Sequence, residues 1–337
     1  MRYLIDNFGR KIDYLRISVT EACNLSCLYC KPEDNFIHKG SSELLSFEEI
    51  LRVINAACSL GITKVRLTGG EPLARENLFF LISSILEIPQ VRDFSLTTNG
   101  VLLKDYVPKL KSKGLKRINV SLDTLSSDKF KYITRTDYFN DVISGIEASL
   151  AAGLLVKLNV VVMKGINDNE IFNFVRFAQA KKIILRFIEL MPLGRAGFGM
   201  AGEPDRNLFF DNLKYVPNFE VRKRLEYLGK VTPCYGFASG PAAYYRIAGF
   251  SHLIGFISAM SEKFCYNCNR LRLSGDGAIL PCLGSSFRVD LKAALRKGAG
   301  DKEIAGLITK AVRFKPMEHS LREEDKLPYC AMSEVGG

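Results

Sequence analysis

Only three of the 337 residues are histidine, and no part of the chain is both long and apolar. The scarcity of histidine narrows nitrogen-ligated metal chemistry: His252 and His319 are isolated from other ligand types, and only His38 lies near a group of cysteines. The richest apolar run, Leu154–Val162, is broken by Lys157 and falls far short of the roughly 20 residues a bilayer requires, which excludes a membrane span of that kind. Met1–Arg10 contains no apolar segment resembling an export signal. Low-complexity tracts are absent, and no repeat extends beyond an alternation of strand and helix patterns. Acidic residues are outnumbered, 36 against 47 basic ones. The resulting net charge of +11 predicts an anionic substrate or partner, because a basic cleft attracts phosphate and carboxylate groups. A soluble, cytoplasmic protein with no membrane partner is expected.

Cysteine, by contrast, is plentiful at nine. Without an export signal, such a number argues against a disulfide framework and for thiolates that serve metals or sit inert in a core, so their clustering matters more than their count.

Between residues 15 and 191, short β-branched runs alternate with helical patterns. Strands are predicted at Leu15–Thr20, Lys64–Thr68, Asp93–Thr97, Arg117–Leu122, Val156–Met163 and Ile183–Met191. Helices are predicted from the Ser46 to Glu49 capping box to about Cys58, and near Asn77–Glu87, Lys104–Lys113, Phe139–Ala152 and Asp168–Ala180. Helical crossovers between parallel strands predict an α/β fold, an incomplete (β/α)6 TIM-type barrel with its chemistry on the loops after the strands. The pattern weakens after Leu193 to about Lys230, read as an irregular connection, and short strand-like runs return between Gly236 and Leu283. The chain is therefore divided at 1–230, the barrel, and 231–337, a cysteine-bearing C-terminal extension.

Cys23, Cys27 and Cys30 stand as C-x3-C-x2-C in the loop after the first strand. Three thiolates this close can ligate three irons of a 4Fe-4S cube and leave the fourth open. A zinc site completed by a distant ligand is the alternative at this point. The motif, with Tyr29 before its last cysteine, resembles that of the radical S-adenosylmethionine (SAM) superfamily. The resemblance implies that SAM binds the open iron and is split to a 5′-deoxyadenosyl radical. Gly69-Gly70-Glu71-Pro72, after the second strand, corresponds to the superfamily's site for the SAM amino group.

Cys265, Cys268 and Cys282 form a second three-cysteine set, for which a zinc knuckle completed by Cys234 is the alternative. Two such sets resemble the GTP 3′,8-cyclase family of molybdenum-cofactor biosynthesis, together with Phe8-Gly9-Arg10, Leu96-Thr97-Thr98-Asn99-Gly100, the run from Phe264 to Gly277, and a terminal Gly336-Gly337. Lys31, where the family commonly has methionine, and residues 195–230 depart from its pattern. The resemblance implies two 4Fe-4S clusters and SAM as cofactors and GTP as substrate. The downstream partner is a cyclic pyranopterin monophosphate synthase that takes the product, and electrons come from a reductase or a flavodoxin- or ferredoxin-type donor. A homodimer is compatible with it.

The implied reaction is removal of the ribose H3′ and cyclisation of C3′ onto guanine C8. Carried over residue by residue, Arg16, Arg66, Thr97, Lys157, Arg270 and Arg272 correspond to GTP contacts, and Tyr29, Gly70, Glu71, Ser121, Arg186 and Met191 to SAM contacts. The double-glycine tail is implied to enter the site and help set the substrate's conformation, so Arg16, Arg66, Gly336 and Gly337 form the expected catalytic set. Rival readings are a radical SAM peptide maturase with an auxiliary cluster and a basic, zinc-stabilised RNA-binding module. The basic run Lys109–Arg117 lacks interleaved aromatics and is read as a solvated face, so no nucleic acid is expected. Cys58 is expected in the core, and Cys330 carries no expectation.

Overall fold

The computed structural model describes residues 3–30, 43–193, 214–236, 240–321 and 332–336. Lys31, His38, Cys330, Gly337 and residues 195–213 of the connection therefore lie outside the described residues.

Six strands alternate with helices: β1 Tyr14–Ser18, α1 Phe47–Ser59, β2 Lys64–Thr68, α2 Leu78–Leu86, β3 Asp93–Thr98, α3 Leu103–Ser112, β4 Arg117–Ser121, α4 Ser127–Thr134, α5 Phe139–Ala151, β5 Leu155–Val162, α6 Ile171–Lys181 and β6 Ile184–Glu189. The strands lie within one or two residues of expectation because β-branched runs bounded by turn residues set them. Helix α1 begins as the capping box requires, with Glu49 N–H donating to Ser46 Oγ at 3.2 Å and Ser46 N–H to Glu49 Oε2 at 2.7 Å. Strands β1 to β6 are parallel neighbours in sequence order.

Side chains alternate along each strand. Leu15, Ile17, Val65, Leu67, Ile118, Val120, Leu158 and Leu185 are fully buried in the layer under the helices. On the opposite parity, Arg16 stands level with Arg66, Arg66 with Ser95, Asn119 with Lys157 and Asn159 with Arg186. The helical layer is thus apolar and the concave face polar and basic.

The connection read as irregular is structured at its end: α7 spans Asn218–Leu225, burying Val221 and Leu225. Then come β7 Val231–Cys234, β8 Ala243–Ile247, β9 Ile254–Ile257, β10 Arg270–Leu273, β11 Ala278–Leu280, β12 Val289–Asp290, α8 Leu291–Arg296, α9 Asp301–Arg313 and α10 Met332–Val335. The sheet order is β12-β11-β10-β1-β2-β3-β4-β5-β6-β9-β8-β7. Strand β10 runs parallel to β1, and β9 parallel to β6. Residues after 230 therefore extend both edges of a single sheet, and eight adjacent strands are parallel. Among the described residues no helix is long and apolar enough to cross a membrane.

Candidate active site

The loop after β1 carries Cys23, Cys27 and Cys30. It is tied to the end of α4, a helix absent from the sequence reading: Ser26 N–H donates to Thr134 O at 3.0 Å and Leu28 N–H to Ile133 O at 2.9 Å. Carbonyls at a helix end lack partners within the helix, and the cysteine loop supplies them. Tyr29 donates its hydroxyl to Asp123 Oδ2 at 2.6 Å, and Val161 N–H donates to Asp123 Oδ1 at 2.8 Å. Burial raises the Asp123 carboxyl to about 6, against the hydrogen bonds from Tyr29 and Val161, which lower it.

The Gly-Gly-Glu-Pro turn packs directly on this loop. Gly70 N–H donates to Thr20 O at 2.7 Å, and a Cβ on Gly70 would stand 2.3 Å from Ala22 O. Glycine at 70 is therefore required by backbone contact with the cysteine loop. Glu71 departs from the role implied for it. It is completely buried and does not line the cavity; its Oε1 accepts from Leu73 N–H and Thr98 Oγ1, and its Oε2 from Asn99 N–H at 2.6 Å. Burial raises its carboxyl to about 7 despite those bonds. Through Asn99, whose Nδ2 lies 3.7 Å from Cys23 Sγ and 2.7 Å from Asn24 Oδ1, Glu71 braces the loop from behind.

The second triad begins in a 3-10 turn, Cys265–Asn267, just before β10. Buried Arg10 reaches it across 255 positions: Nη1 donates to Cys265 O and Met317 O, each at 2.8 Å, Nη2 to Pro316 O at 2.6 Å, and Nε pairs with Asp6 at 2.5 Å. Burial alone would push the Cys268 thiol up, but Arg270 and Lys315 outweigh it and hold the thiol at about 6.

Both triads line one cavity, together with Arg16, Tyr29, Arg66, Gly70, Thr97, Ser121, Arg186, Met191, Arg270 and Arg272. Lys157 lies on the same strand parity but outside the cavity lining, its Nζ 5.8 Å from the Tyr244 ring centroid. Arg186 donates to Asn119 Oδ1 at 2.5 Å, and Arg66 Nε to Ser95 Oγ at 3.0 Å. Burial depresses Arg16 well below its usual value, with Arg272 and Arg66 adding to the effect. Burial likewise lowers Arg272 to about 10, assisted by Arg270, and Lys157 to about 8, assisted by Arg186 and Arg117. Guanidinium groups gathered in one cavity make its field positive, which suits anionic groups.

The tail packs against residues of this lining, of which Met332 is itself one. Arg272 Nη1 donates to Val335 O at 3.0 Å and to Gly336 O at 2.5 Å, and Ser18 Oγ donates to Ser333 O at 3.1 Å. Gly336 has φ +72°, and a Cβ there would stand 2.2 Å from Thr68 Cγ2. Asp123, Asn99, Arg10, Lys315 and helix α4 were not identified as site elements from sequence. Arg10 and Asn99 stood in runs that carry the family resemblance without being given a role, and α4 had a local signal in Ser126 as N-cap ahead of Phe130 and Ile133.

Family models described as the radical SAM superfamily and as molybdenum cofactor synthesis C match residues 17–178 and 183–321. The GTP 3′,8-cyclase of Moorella thermoacetica is 43% identical over 334 residues, covering 98% of this chain and 99% of the relative. That of Thermodesulfovibrio yellowstonii is 44% identical over 335 residues, with 98% and 99% covered. The chain belongs to the GTP 3′,8-cyclase family. In fold it is similar to Streptococcus suis SuiB bound to S-adenosylmethionine, with TM-score 0.60 at 16% identity, covering 89% of this chain and 69% of that one.

The cofactors of this family are SAM and two 4Fe-4S clusters. The donor chemistry of this chain fits them: each triad offers three thiols to one cavity.

Proposed function

We propose that this chain is a lyase that converts GTP to (8S)-3′,8-cyclo-7,8-dihydroguanosine 5′-triphosphate, the first step of molybdenum-cofactor biosynthesis. The observation that carries this reading is one cavity lined by both cysteine triads and by Arg16, Arg66, Arg186, Arg270 and Arg272. Cys23, Cys27 and Cys30 hold the first cluster, and Cys265, Cys268 and Cys282 the second. A reduced cluster held by Cys23, Cys27 and Cys30 would supply the single electron for reductive cleavage of SAM, the radical chemistry that abstraction of the ribose H3′ of GTP requires.

The residues of the chain bind and orient. Arg16, Arg66, Arg270 and Arg272 receive the triphosphate, since a guanidinium fork bonds two phosphate oxygens at once. Thr97 completes the GTP site, and Lys157, outside the lining, contributes positive charge from behind it. Tyr29, Gly70, Ser121, Arg186 and Met191 form the SAM side, with Glu71 acting from behind. Gly336, followed by Gly337, sits beside Thr68 and Arg272 and limits the conformations open to the substrate. Holding C3′ and C8 of one molecule together replaces an encounter with a fixed approach, which can supply several kcal/mol of the barrier, of order 7–11 in the best cases.

The reading extends to a cytoplasmic enzyme that receives electrons from a flavodoxin- or ferredoxin-type donor or its reductase and hands its product to a pyranopterin-forming synthase, as a homodimer. The test is an anaerobic reaction of the reconstituted, dithionite-reduced protein with SAM and GTP, followed by mass spectrometry. Formation of 5′-deoxyadenosine with an isomer of GTP, the isomer being lost when Cys265, Cys268 and Cys282 are replaced by serine, is expected. 5′-Deoxyadenosine with no GTP product would move the substrate elsewhere, to a peptide for example.

A further inference from the structure

The segment 315–317 meets the second triad from two sides. Arg10 binds the carbonyls of Pro316, Met317 and Cys265. Lys315 is 3% exposed, lines the cavity, and donates its Nζ to Pro281 O at 2.6 Å and to Arg270 O at 2.8 Å. Pro281 immediately precedes Cys282, and Arg270 stands two residues after Cys268. One ammonium thus joins the two loops that carry two of the three thiols.

The cations around this triad differ in what balances them. Arg10 is paired with the Asp6 carboxylate. Arg270 and Arg272 face the lumen, where the triphosphate is proposed to bind. Lys315 meets no carboxylate among the described residues: its hydrogen bonds go to the two carbonyls, and its anionic neighbours are Cys268 and Cys282. A buried cation whose counter-charges among the described residues are the thiolates of Cys268 and Cys282 acts on whatever those thiolates hold. The potential of an iron–sulfur cluster follows its net charge, its hydrogen bonds and its exposure. Adding an electron adds negative charge, which a fixed neighbouring ammonium stabilises in a low-dielectric site.

We infer that Lys315 is a positioning residue that sets the reduction potential of the second cluster, holding it more positive than its three thiolates alone would. The inference rests on the two-cluster reading above. Its chemistry is one-electron reduction of the cluster by dithionite, with no bond made or broken.

The experiment uses the full chain with Cys23, Cys27 and Cys30 replaced by serine, so that only the second cluster is present. Its potential is measured by EPR-monitored redox titration without SAM or GTP. Lys315→Met removes charge and hydrogen bonds; Lys315→Gln removes the charge and keeps a donor for the carbonyls; Lys315→Arg keeps the charge. Both neutral variants are expected to retain iron and sulfide and to shift the reduced-to-oxidised ratio at fixed potential at least about tenfold toward oxidised, 59 mV for a one-electron couple. Lys315→Arg should lie near the parent. An unchanged potential in a fully loaded neutral variant overturns the inference. Loss of the cluster from both neutral variants also overturns it, because Lys315 would then be a structural tie. Zinc without iron in the parent protein would instead sink the two-cluster reading.

Discussion

Replacing Gly336 by alanine should weaken the docking of the tail. An L side chain at φ +72° carries a backbone cost of about 1–2 kcal/mol. The new Cβ would lie 2.2 Å from Thr68 Cγ2, and overpacking of this sort adds about 1–3 kcal/mol. The tail is held by two Arg272 bonds, worth about 1.5–3 kcal/mol each, and the Ser18 bond, worth about 0.5–1.5 kcal/mol. The cost erodes much of that hold, and its low end, about 2 kcal/mol, is roughly thirtyfold in the docking equilibrium. The assay is the rate at which a protease removes the tail from the folded chain, with GTP turnover under saturating SAM followed in parallel. Tail removal from Gly336→Ala should quicken at least about thirtyfold, and turnover should fall only by the amount by which the cost exceeds the hold. Thr68→Ser deletes the obstructing Cγ2, so the double variant should recover part of the protection, leaving the backbone cost, about five- to thirtyfold. An unchanged rate of tail removal in the single variant, or no recovery in the double one, would refute the reasoning.

Arg10→Ala removes the bonds that hold Cys265, and iron per chain should drop from about eight to about four, with the first-cluster EPR signal intact; Arg10→Lys, lacking the fork, should not restore it. Glu71, raised by burial to about 7, binds more protons folded than unfolded between pH 4.5 and 7. Stability should therefore fall by up to about 3 kcal/mol as pH rises through that window, and urea titrations should show this slope missing in Glu71→Gln. Tyr29→Phe leaves Asp123 Oδ2 without its donor, and urea unfolding of the metal-free protein should show a loss of about 1–3 kcal/mol.

Local periodicity carried the barrel. The strands β1 to β6 were legible because each is a β-branched run closed by polar or glycine residues. Helices α4 and α9 were missed for different reasons. Helix α4 has eight residues and buries only Phe130, Ile133 and Thr134, a weak stripe, whereas α9 shows Ile304, Ile308 and Ala311 at helical spacing in the stretch between the second cysteine set and the glycine tail, for which no element was expected. The cysteines of the site could be read because ligand spacing is a local property. Its supports could not, since Arg10 acts on Cys265 and Glu71 on Asn99 across 255 and 28 positions. Glu71 shows the limit of motif transfer: its residue type suggested an ammonium partner, while its burial and three donors make it an internal brace.

The placement of β10 beside β1 has a consequence for synthesis on the ribosome. At about 5–20 residues per second, β1 emerges roughly 10–50 s before the strand that closes its outer edge. Through that interval the nascent chain carries an open parallel edge next to its first three thiols, a template for pairing with other chains. A polypeptide ending at residue 230 would keep β1 and β6 uncovered permanently and should be recovered as aggregate, so the last third of the chain is needed for solubility before it is needed for catalysis.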